Sequence, residues 1–384
     1  MAAAFACLRA EVPYTVPEKP WDLNMGHHRA LVRVESAAPA VRVHLPWRLQ
    51  MQGMQNHQVI VVDVATGKQV QNVARFAADR MGADIGFQPA TAPGEYHIYY
   101  LPLRPYGNLN DPADYLGYQC KADKTWLQNA DQWRNWPAAK ALEFQARTEF
   151  DRFDPMEVIA SDDETKDLLS RHRESFLLFP EDRRNPIRMQ RDLPLRWIKS
   201  GPHGEFSGEA MRNEYYCFQV GVYAPRQPVG KLTVKMSDLR SPKDAMIPSS
   251  AITCFNTGGV DTWGRAFSKV VNVPAGNIQP LWIGVDVAPD QTPGLYEGTI
   301  TVQPEGVRAQ SVAVKLTVLP QTIEERGDND PWRHSRLRWL NSTAGIGDSI
   351  MPPYTPLAVR ARTIRCLGRE VELGENGLPV GIRA

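Results

Sequence analysis

The chain has 384 residues, with 44 basic and 43 acidic side chains and a formal net charge of +1. This length favours two or three domains with full hydrophobic cores, and the balanced charge gives no electrostatic reason to expect binding to nucleic acid or to an anionic membrane. No apolar run approaches the roughly 20 residues that a transmembrane helix needs, so we expect no membrane span.

The cysteines are too widely spaced for a metal knuckle or a dense disulfide framework, because no Cys-x-x-Cys pair occurs among them. Cys217 and Cys254 fall in strand-like runs, which favours buried thiols; a single disulfide between them is the alternative. The five positions are Cys7, Cys120, Cys217, Cys254 and Cys366.

Residues 1–28 are interpreted as a leader. The opening stretch MAAAFACLRAEVPY has the apolar character of a signal peptide but is short and lacks a basic n-region. Two interpretations stay open: the end of a signal peptide that starts upstream, or a disordered leader. The first would place the protein in the periplasm or outside the cell.

Short runs of strand type follow over residues 29–104, with turn signals between them. They are ALVRVE, VRVHL, QVIVVDV and EYHIYYL. Alternating runs of this length, with no helical pattern among them, predict a first β-sandwich.

Residues 105–184 differ and predict a helical, aromatic-rich insertion or linker. In the stretch 138–150, AAKALEFQARTEF, Leu142 and Ala146 lie four residues apart, which favours a helix. Ser161 with Glu164 three residues later has the pattern of a capping box, which marks the start of another helix.

The strand pattern returns over residues 185–320 and predicts a second β-sandwich of immunoglobulin or fibronectin type. The motif Pro-Gly-x-Tyr occurs in both β regions, as TAPGEYHIYYLP (91–102) and TPGLYEGTITV (292–302). Pro-Gly predicts a turn that leads into a strand, with Tyr96 and Tyr296 facing inward.

Residues 330–384 predict the start of a third β module. Strand-like pieces occur near 357–359 and 363–367, and GREVELGENG predicts a hairpin. About 55 residues can hardly close a sandwich, so we interpret this module as incomplete, with exposed apolar strands. The fold class is therefore mainly β: two sandwich modules, a helical and loop insertion between them, and an incomplete third module.

No motif for a catalytic nucleophile, a phosphate loop, a dinucleotide or a zinc protease occurs, so no catalytic residue, metal ligand or cofactor is assigned. His27 and His28 are adjacent and would point to opposite faces of a strand. Carboxylates 162–164 are interpreted as helix-capping residues, and the series Asp151, Asp154 and Glu157 as a solvated linker.

Three tryptophans in the insertion, Trp126, Trp133 and Trp136, form the most informative cluster. Indole faces stack on sugar rings and give large contact areas at small entropic cost, so these residues are the candidates for carbohydrate binding. The favoured interpretation is that they pack the insertion against one sandwich.

Several stretches together resemble the N-terminal part of bacterial glycoside hydrolases related to family 123. The most distinctive are FLLFPEDRRNPIRM (176–189) and DPWRHSRLRWLNST (330–343); VIVVDVATGKQVQNV and QPLWIGVDVAPDQTPGLYEGTITV add to them. The resemblance implies β-sandwich modules that precede a TIM-barrel hydrolase domain acting on terminal β-linked N-acetylgalactosamine with an adjacent Asp-Glu pair.

The chain departs from that pattern in two ways. A barrel takes about 250 residues, and no part of this sequence can supply one. The adjacent pair Asp163-Glu164 lies in a predicted helix cap and does not follow a barrel strand. No catalytic residue is therefore carried over. Two hypotheses stand: accessory modules of a glycoside hydrolase whose catalytic barrel follows at the C-terminal side, or a stand-alone β-sandwich protein that binds a glycan or another protein.

Overall fold

The computed structural model describes residues 12–104, 114–347 and 349–384, and its fold is mainly β. Residues 1–11 of the predicted leader, with Cys7, lie outside the described residues, as do residues 105–113. The rest of the predicted leader is part of the fold rather than a disordered segment: it contains a short strand (Tyr14–Thr15), which pairs with Phe144 and Gln145, and a 3₁₀ helix (Leu23–Met25). No helix in the described ranges combines the length and apolarity that crossing a bilayer requires.

The first module is a sandwich of two sheets. One sheet has the strand order β1-β8-β2-β7-β4 and the other β3-β6-β5; β1 and β8 run parallel and the remaining pairs antiparallel. Their inward side chains, such as Val32, Ile85 and Ile98, form one core. The strands are β1 (Tyr14–Thr15), β2 (His28–Val34), β3 (Val41–Leu45), β4 (Val59–Asp63), β5 (Val73–Ala78), β6 (Ala83–Phe87), β7 (Gly94–Tyr100) and β8 (Lys140–Ala146).

The helix predicted over 138–150 is wrong: the segment forms β8 and pairs with β2 on one side and β1 on the other. Leu142 and Ala146 are four apart, but with Phe144 they also fit the two-residue period of a strand. Pairing with β2 satisfies the backbone of β8 on a sheet, and this tertiary partner overrides the local helical spacing.

Short helices connect and flank the modules. The α-helices are α1 (Lys124–Leu127), α2 (Asp162–Arg171) and α3 (Leu195–Ser200). The capping box at α2 is confirmed, because the Ser161 side chain accepts from the Glu164 backbone and the Glu164 side chain accepts from the Ser161 backbone. The 3₁₀ helices are Leu23–Met25, Met54–Asn56, Ala130–Asn135, Glu149–Asp151, Ser249–Ala251, Glu324–Gly327, Pro331–Arg333 and Ser335–Asn341.

The second module packs a sheet of order β10-β20-β19-β13-β14, with β12 also on β19, against a sheet of order β15-β18-β11-β9. Both sheets contribute to one core, which includes Phe218, Ile283, Ile300 and Leu316. β9 lies before the predicted boundary at 184–185 and forms an edge of this module. The strands are β9 (Leu177–Asp182), β10 (Glu205–Arg212), β11 (Tyr215–Ala224), β12 (Thr233–Met236), β13 (Leu239–Arg240), β14 (Met246–Ile247), β15 (Ile252–Cys254), β16 (Gly258–Val260), β17 (Ala266–Ser268), β18 (Asn277–Asp286), β19 (Gly294–Gln303) and β20 (Gln310–Thr322).

The two Pro-Gly-x-Tyr turns build the same corner. The Tyr96 hydroxyl donates to the Thr91 carbonyl at 2.6 Å, and the Tyr296 hydroxyl donates to the Thr292 carbonyl at 2.6 Å. Both rings are buried, as predicted. Each tyrosine therefore ties its strand to the turn before it, which is the geometry of a tyrosine corner.

A four-stranded antiparallel meander ends the chain, with β21 (Ala358–Arg360), β22 (Thr363–Cys366), β23 (Arg369–Leu373) and β24 (Pro379–Arg383). This confirms the predicted strands and hairpin. The Cys217 and Cys254 thiols are buried and unpaired, so the buried-thiol interpretation is confirmed rather than the disulfide.

Candidate functional site

The predicted tryptophans come together on the first module. Trp126 lies in α1, where the Asp123 carboxylate caps the helix by accepting from the Thr125 and Trp126 backbones at 2.6 and 3.3 Å. The Trp126 indole N–H donates to the Pro39 carbonyl at 3.1 Å. The cap and this bond fix the indole above the turn that joins β2 to β3.

Phe76 connects the other two tryptophans. Its ring stacks on Trp133 with centroids 4.8 Å apart and meets Trp136 edge to face at 5.4 Å, while Trp126 lies 5.2 Å from Trp136. All four of these aromatic residues are half-buried. We call them the aromatic cluster: Phe76, Trp126, Trp133 and Trp136.

The aromatic cluster packs tightly on the β3-β6-β5 sheet. A Cβ at Gly86 would lie 2.5 Å from the Trp136 ring and 2.6 Å from the Phe76 ring, so only glycine fits under the two rings. The Arg134 guanidinium lies 4.6 Å from the Trp133 centroid, and the Phe76 ring stacks on the same indole. These contacts fit the packing alternative, and carbohydrate binding by Trp126, Trp133 and Trp136 stays a prediction.

Sequence reasoning missed a second group, at the end of β8. The Asp151 side chain is only 8% exposed, and its carboxylate lies 2.7 Å from His27 Nδ1. The Thr148 hydroxyl donates to the other carboxylate oxygen at 2.7 Å. The interpretation of Asp151 as a solvated linker residue is wrong. His27 and Asp151 are far apart in sequence, and only the pairing of β2 with β8 brings them together.

His28 lies beside this group, and its ring contacts different partners from those of His27. The His28 Nε2 bonds to the Asp151 carbonyl oxygen at 2.8 Å, and the ring stacks on Phe153 at 3.9 Å between centroids. Burial lowers the pKa of His28 to about 4, so the ring is neutral at pH 7. Burial opposes ionisation of Asp151 too, but the bonds from Thr148 and His27 prevail and lower its pKa.

The carboxylates of the predicted helix cap, Asp163 and Glu164, form ion pairs and helix-capping hydrogen bonds. Glu164 caps α2 and also accepts two bonds from Arg48, at 2.8 and 2.9 Å, which connect the first module to α2. The hydrogen bonds from Arg48 are the main reason that the pKa of Glu164 is lowered. Asp163 pairs with Lys166 on the exposed face of the helix. Among the described residues, no group of three His, Cys, Asp or Glu side chains could hold a metal ion.

A buried ionic junction ties the second module to the segment before the meander. The fully buried Glu214 carboxylate accepts from Arg183, from Arg333 Nη1 at 2.9 Å and from the Met211 backbone at 2.7 Å. The Arg183 guanidinium lies between the rings of Tyr216 and Trp332, 4.5 and 4.8 Å from their centroids. The junction therefore fixes the direction in which the chain leaves the second sandwich.

Part of the chain is similar to known proteins. The chain is similar to a solved family 123 glycoside hydrolase from Clostridium perfringens, with 19% identity over 33% of this chain and 24% of that chain and a TM-score of 0.28. It is also similar to a PapD-like domain of human CEP192, with 10% identity over 32% of this chain and 84% of that chain and a TM-score of 0.20. The E. coli chaperone DraB matches with 11% identity over 44% of this chain and 72% of that chain and a TM-score of 0.19. No curated protein matches the chain.

The family comparison is specific for one region. Residues 19–147 match the model of the glycoside hydrolase 123 N-terminal domain, a range that runs from just before β2 through β8 and contains the whole aromatic cluster. This region of the chain is therefore similar to the glycoside hydrolase 123 N-terminal domain.

Proposed function

We propose that this chain is the non-catalytic N-terminal region of a glycoside hydrolase, whose catalytic barrel follows on the C-terminal side. The observation that carries the proposal is the match of residues 19–147 to the glycoside hydrolase 123 N-terminal domain. The β modules brace the barrel and contact the glycan that approaches it, through Trp126, Trp133 and Trp136. A β-linked N-acetylgalactosaminide is the proposed substrate class of the whole enzyme.

The meander supports this proposal because its apolar side chains are uncovered by the rest of the described chain. Val380 and Ile382 on β24 are 68% and 66% exposed, and Leu357, Val359 and Leu378 are similarly exposed. Large contiguous exposed apolar surfaces mark interaction sites in soluble proteins. The proposed occupant is the catalytic barrel, and the Glu214 junction would hold the meander in place to receive it.

The first experiment is the mass of the native gene product, measured with an antibody against this chain on source cells and their medium. The expected band lies above the 43.1 kDa of this chain by at least the mass of the roughly 250 residues of a barrel. A band at the mass of this chain would overturn the proposal of a C-terminal barrel. The same blot tests the proposed periplasmic or extracellular location, which rests mainly on the resemblance to family 123 glycoside hydrolases.

Hydrogen exchange sharpens the test at the meander. In the chain of 384 residues the amides of β21–β24 are expected to exchange quickly, and in a longer gene product they should become protected. Amides of β11 and β18, which pair in the second core, serve as the control and should be equally protected in both proteins. Equal exchange of the meander in both would mean that no barrel covers it.

The alternative function is a stand-alone β-sandwich protein that binds a glycan or another protein. The aromatic cluster favours it, because three half-buried tryptophans present indole surface within one patch. Titration of glycans against wild type and Trp126→Ala tests the cluster, since Trp126 is held by a single side-chain hydrogen bond. Unchanged affinity would remove the cluster as a binding surface.

A further inference from the structure

A cavity of about 360 Å³ opens on the first module next to the His27–Asp151 pair, away from the aromatic cluster. Its wall carries Phe150 and Gln50, and its floor is apolar, with Met51 and Phe153. The volume lies at the lower end of the range found for small-molecule sites, about 300–1,000 Å³. It therefore suits a ligand of one ring rather than an extended cofactor.

Phe150 stands at the mouth of the cavity and is 97% exposed, more than any other large hydrophobic side chain that the structure describes. Two hydrogen bonds of the next residue hold the turn that carries Phe150: the Asp151 amide donates to the Thr148 carbonyl at 3.1 Å, and the Asp151 carbonyl accepts from His28 at 2.8 Å. A ring on a fixed turn offers an open aromatic face without the entropic cost of ordering a loop.

His27 supplies a directed polar group on the same wall. Because Nδ1 faces the Asp151 carboxylate at 2.7 Å, the pair sets the orientation of the ring. Nδ1 is the ring nitrogen in contact with Asp151, and no hydrogen bond joins Nε2 or the Gln50 amide to another residue in the part of the chain that the structure describes. Both groups are therefore available to a ligand.

We propose that this cavity binds one pyranose ring of a glycan, with the apolar face of the sugar stacked on Phe150 and its hydroxyls bonded to His27 Nε2 and the Gln50 amide. The proposal rests on the carbohydrate context of the proposed function. An exposed aromatic ring beside hydroxyl-directed polar groups matches the two faces of a pyranose, one apolar and one rich in hydroxyls. A wholly apolar ligand would leave His27 and Gln50 without partners.

An anionic ligand fits the cavity less well than a neutral sugar. Asp151 and Glu157 both line the cavity, and their carboxylates would repel a second negative charge at close range. His27 and Arg188 already pair with these carboxylates, at 2.7 and 3.0 Å. The site is therefore assigned to a neutral pyranose.

The test is a titration of the whole chain with methyl β-glucoside, methyl β-galactoside and methyl β-N-acetylgalactosaminide, followed by ligand-observed NMR and calorimetry. Phe150→Ala should weaken the binding of the preferred probe by about tenfold or more, because the stacking surface is lost. His27→Gln should weaken it to a smaller extent. Phe267→Ala, which changes a partly exposed phenylalanine of the second module, is the matched control and should leave the affinity unchanged.

The outcomes separate this inference from the proposed function. The inference is overturned if Phe150→Ala binds the probe with wild-type affinity, or if the wild-type chain binds none of the three probes. If Trp126→Ala loses affinity and Phe150→Ala does not, the sugar binds at the aromatic cluster instead. If the native gene product has the mass of this chain and Phe150→Ala still loses affinity, the proposal of a C-terminal barrel is overturned and the sugar site is kept. Phe150 is exposed, so its variant should melt at the wild-type temperature.

Discussion

The sheet that contains β19 and the C-terminal meander have the same alternating pattern, yet only one of them is covered. On β19, Tyr296, Ile300 and Val302 are buried against the β11 sheet. On β24, Val380 and Ile382 alternate in the same way and remain exposed. The comparison teaches that alternation determines the strand and its faces, whereas coverage depends on a second sheet or another partner.

The largest effect is expected at the Glu214 junction, which connects the two regions. Glu214→Ala should lower the free energy of unfolding of the second module by about 3–5 kcal/mol, because Arg183 and Arg333 would then be buried without their shared carboxylate. Urea denaturation followed by hydrogen exchange measures it. Glu370→Ala in the meander, where the partner Arg365 is exposed, is the control and should cost less than about 1 kcal/mol. Equal losses would break the comparison.

A matched pair of isoleucines tests coverage directly. Ile300→Ala removes buried methyl groups from a packed core and should cost about 2–5 kcal/mol, whereas Ile382→Ala, on a strand with the same pattern, should change stability by about 0.5 kcal/mol or less. Urea unfolding of both variants measures the difference. A large cost for Ile382→Ala in this chain would mean that the meander is already covered; the same cost only in a longer gene product would support the barrel.

The first module adds a pH dependence to the comparison. Since burial lowers the pKa of His28 to about 4 from an ordinary value near 6.5, the unfolded chain binds a proton in this window that the native chain does not. The free energy of unfolding should therefore fall as the pH drops from 6.5 to 4, by up to about 3 kcal/mol from His28.

Stability measured from pH 7 to 4 in wild type and in His28→Phe checks this expectation, and the variant should have the shallower slope. His97, whose pKa burial and Arg29 also lower to about 4, keeps part of the dependence in the variant. The meander contains no histidine, so its exchange rates relative to unfolded peptides should not follow this transition. Identical slopes for both proteins would contradict the assignment to His28.

The smallest effect is expected at the two tyrosine corners. Tyr96→Phe and Tyr296→Phe each remove a hydroxyl that bonds to a turn carbonyl, and each should cost about 1 kcal/mol. Tyr354→Phe, at an exposed ring near the meander, is the control and should be neutral. If only one of the two corners responds, the two modules do not rely on the motif equally.

Sequence patterns predicted the local devices of the fold. Tyr96 and Tyr296 face inward after a Pro-Gly turn, Ser161 and Glu164 close a capping box, and residues 358–383 form strands. In each case the determinants lie within a few residues of one another. The segment 138–150 was predicted incorrectly because its spacing fits both periods, and the neighbouring strands β2 and β1 decided between them.

The candidate sites divide in the same way. The sequence alone singled out Trp126, Trp133 and Trp136, because aromatic residues close in sequence are visible there. It did not reveal that Phe76 and Gly86 lie beneath them, nor that Asp151 meets His27. Such contacts join residues that strand pairing brings together from distant parts of the chain. By itself the sequence determined strand type, caps and corners, which depend on local sterics and hydrogen bonds; the tertiary structure decided which faces are covered and which polar groups share a cavity, since burial depends on the partner.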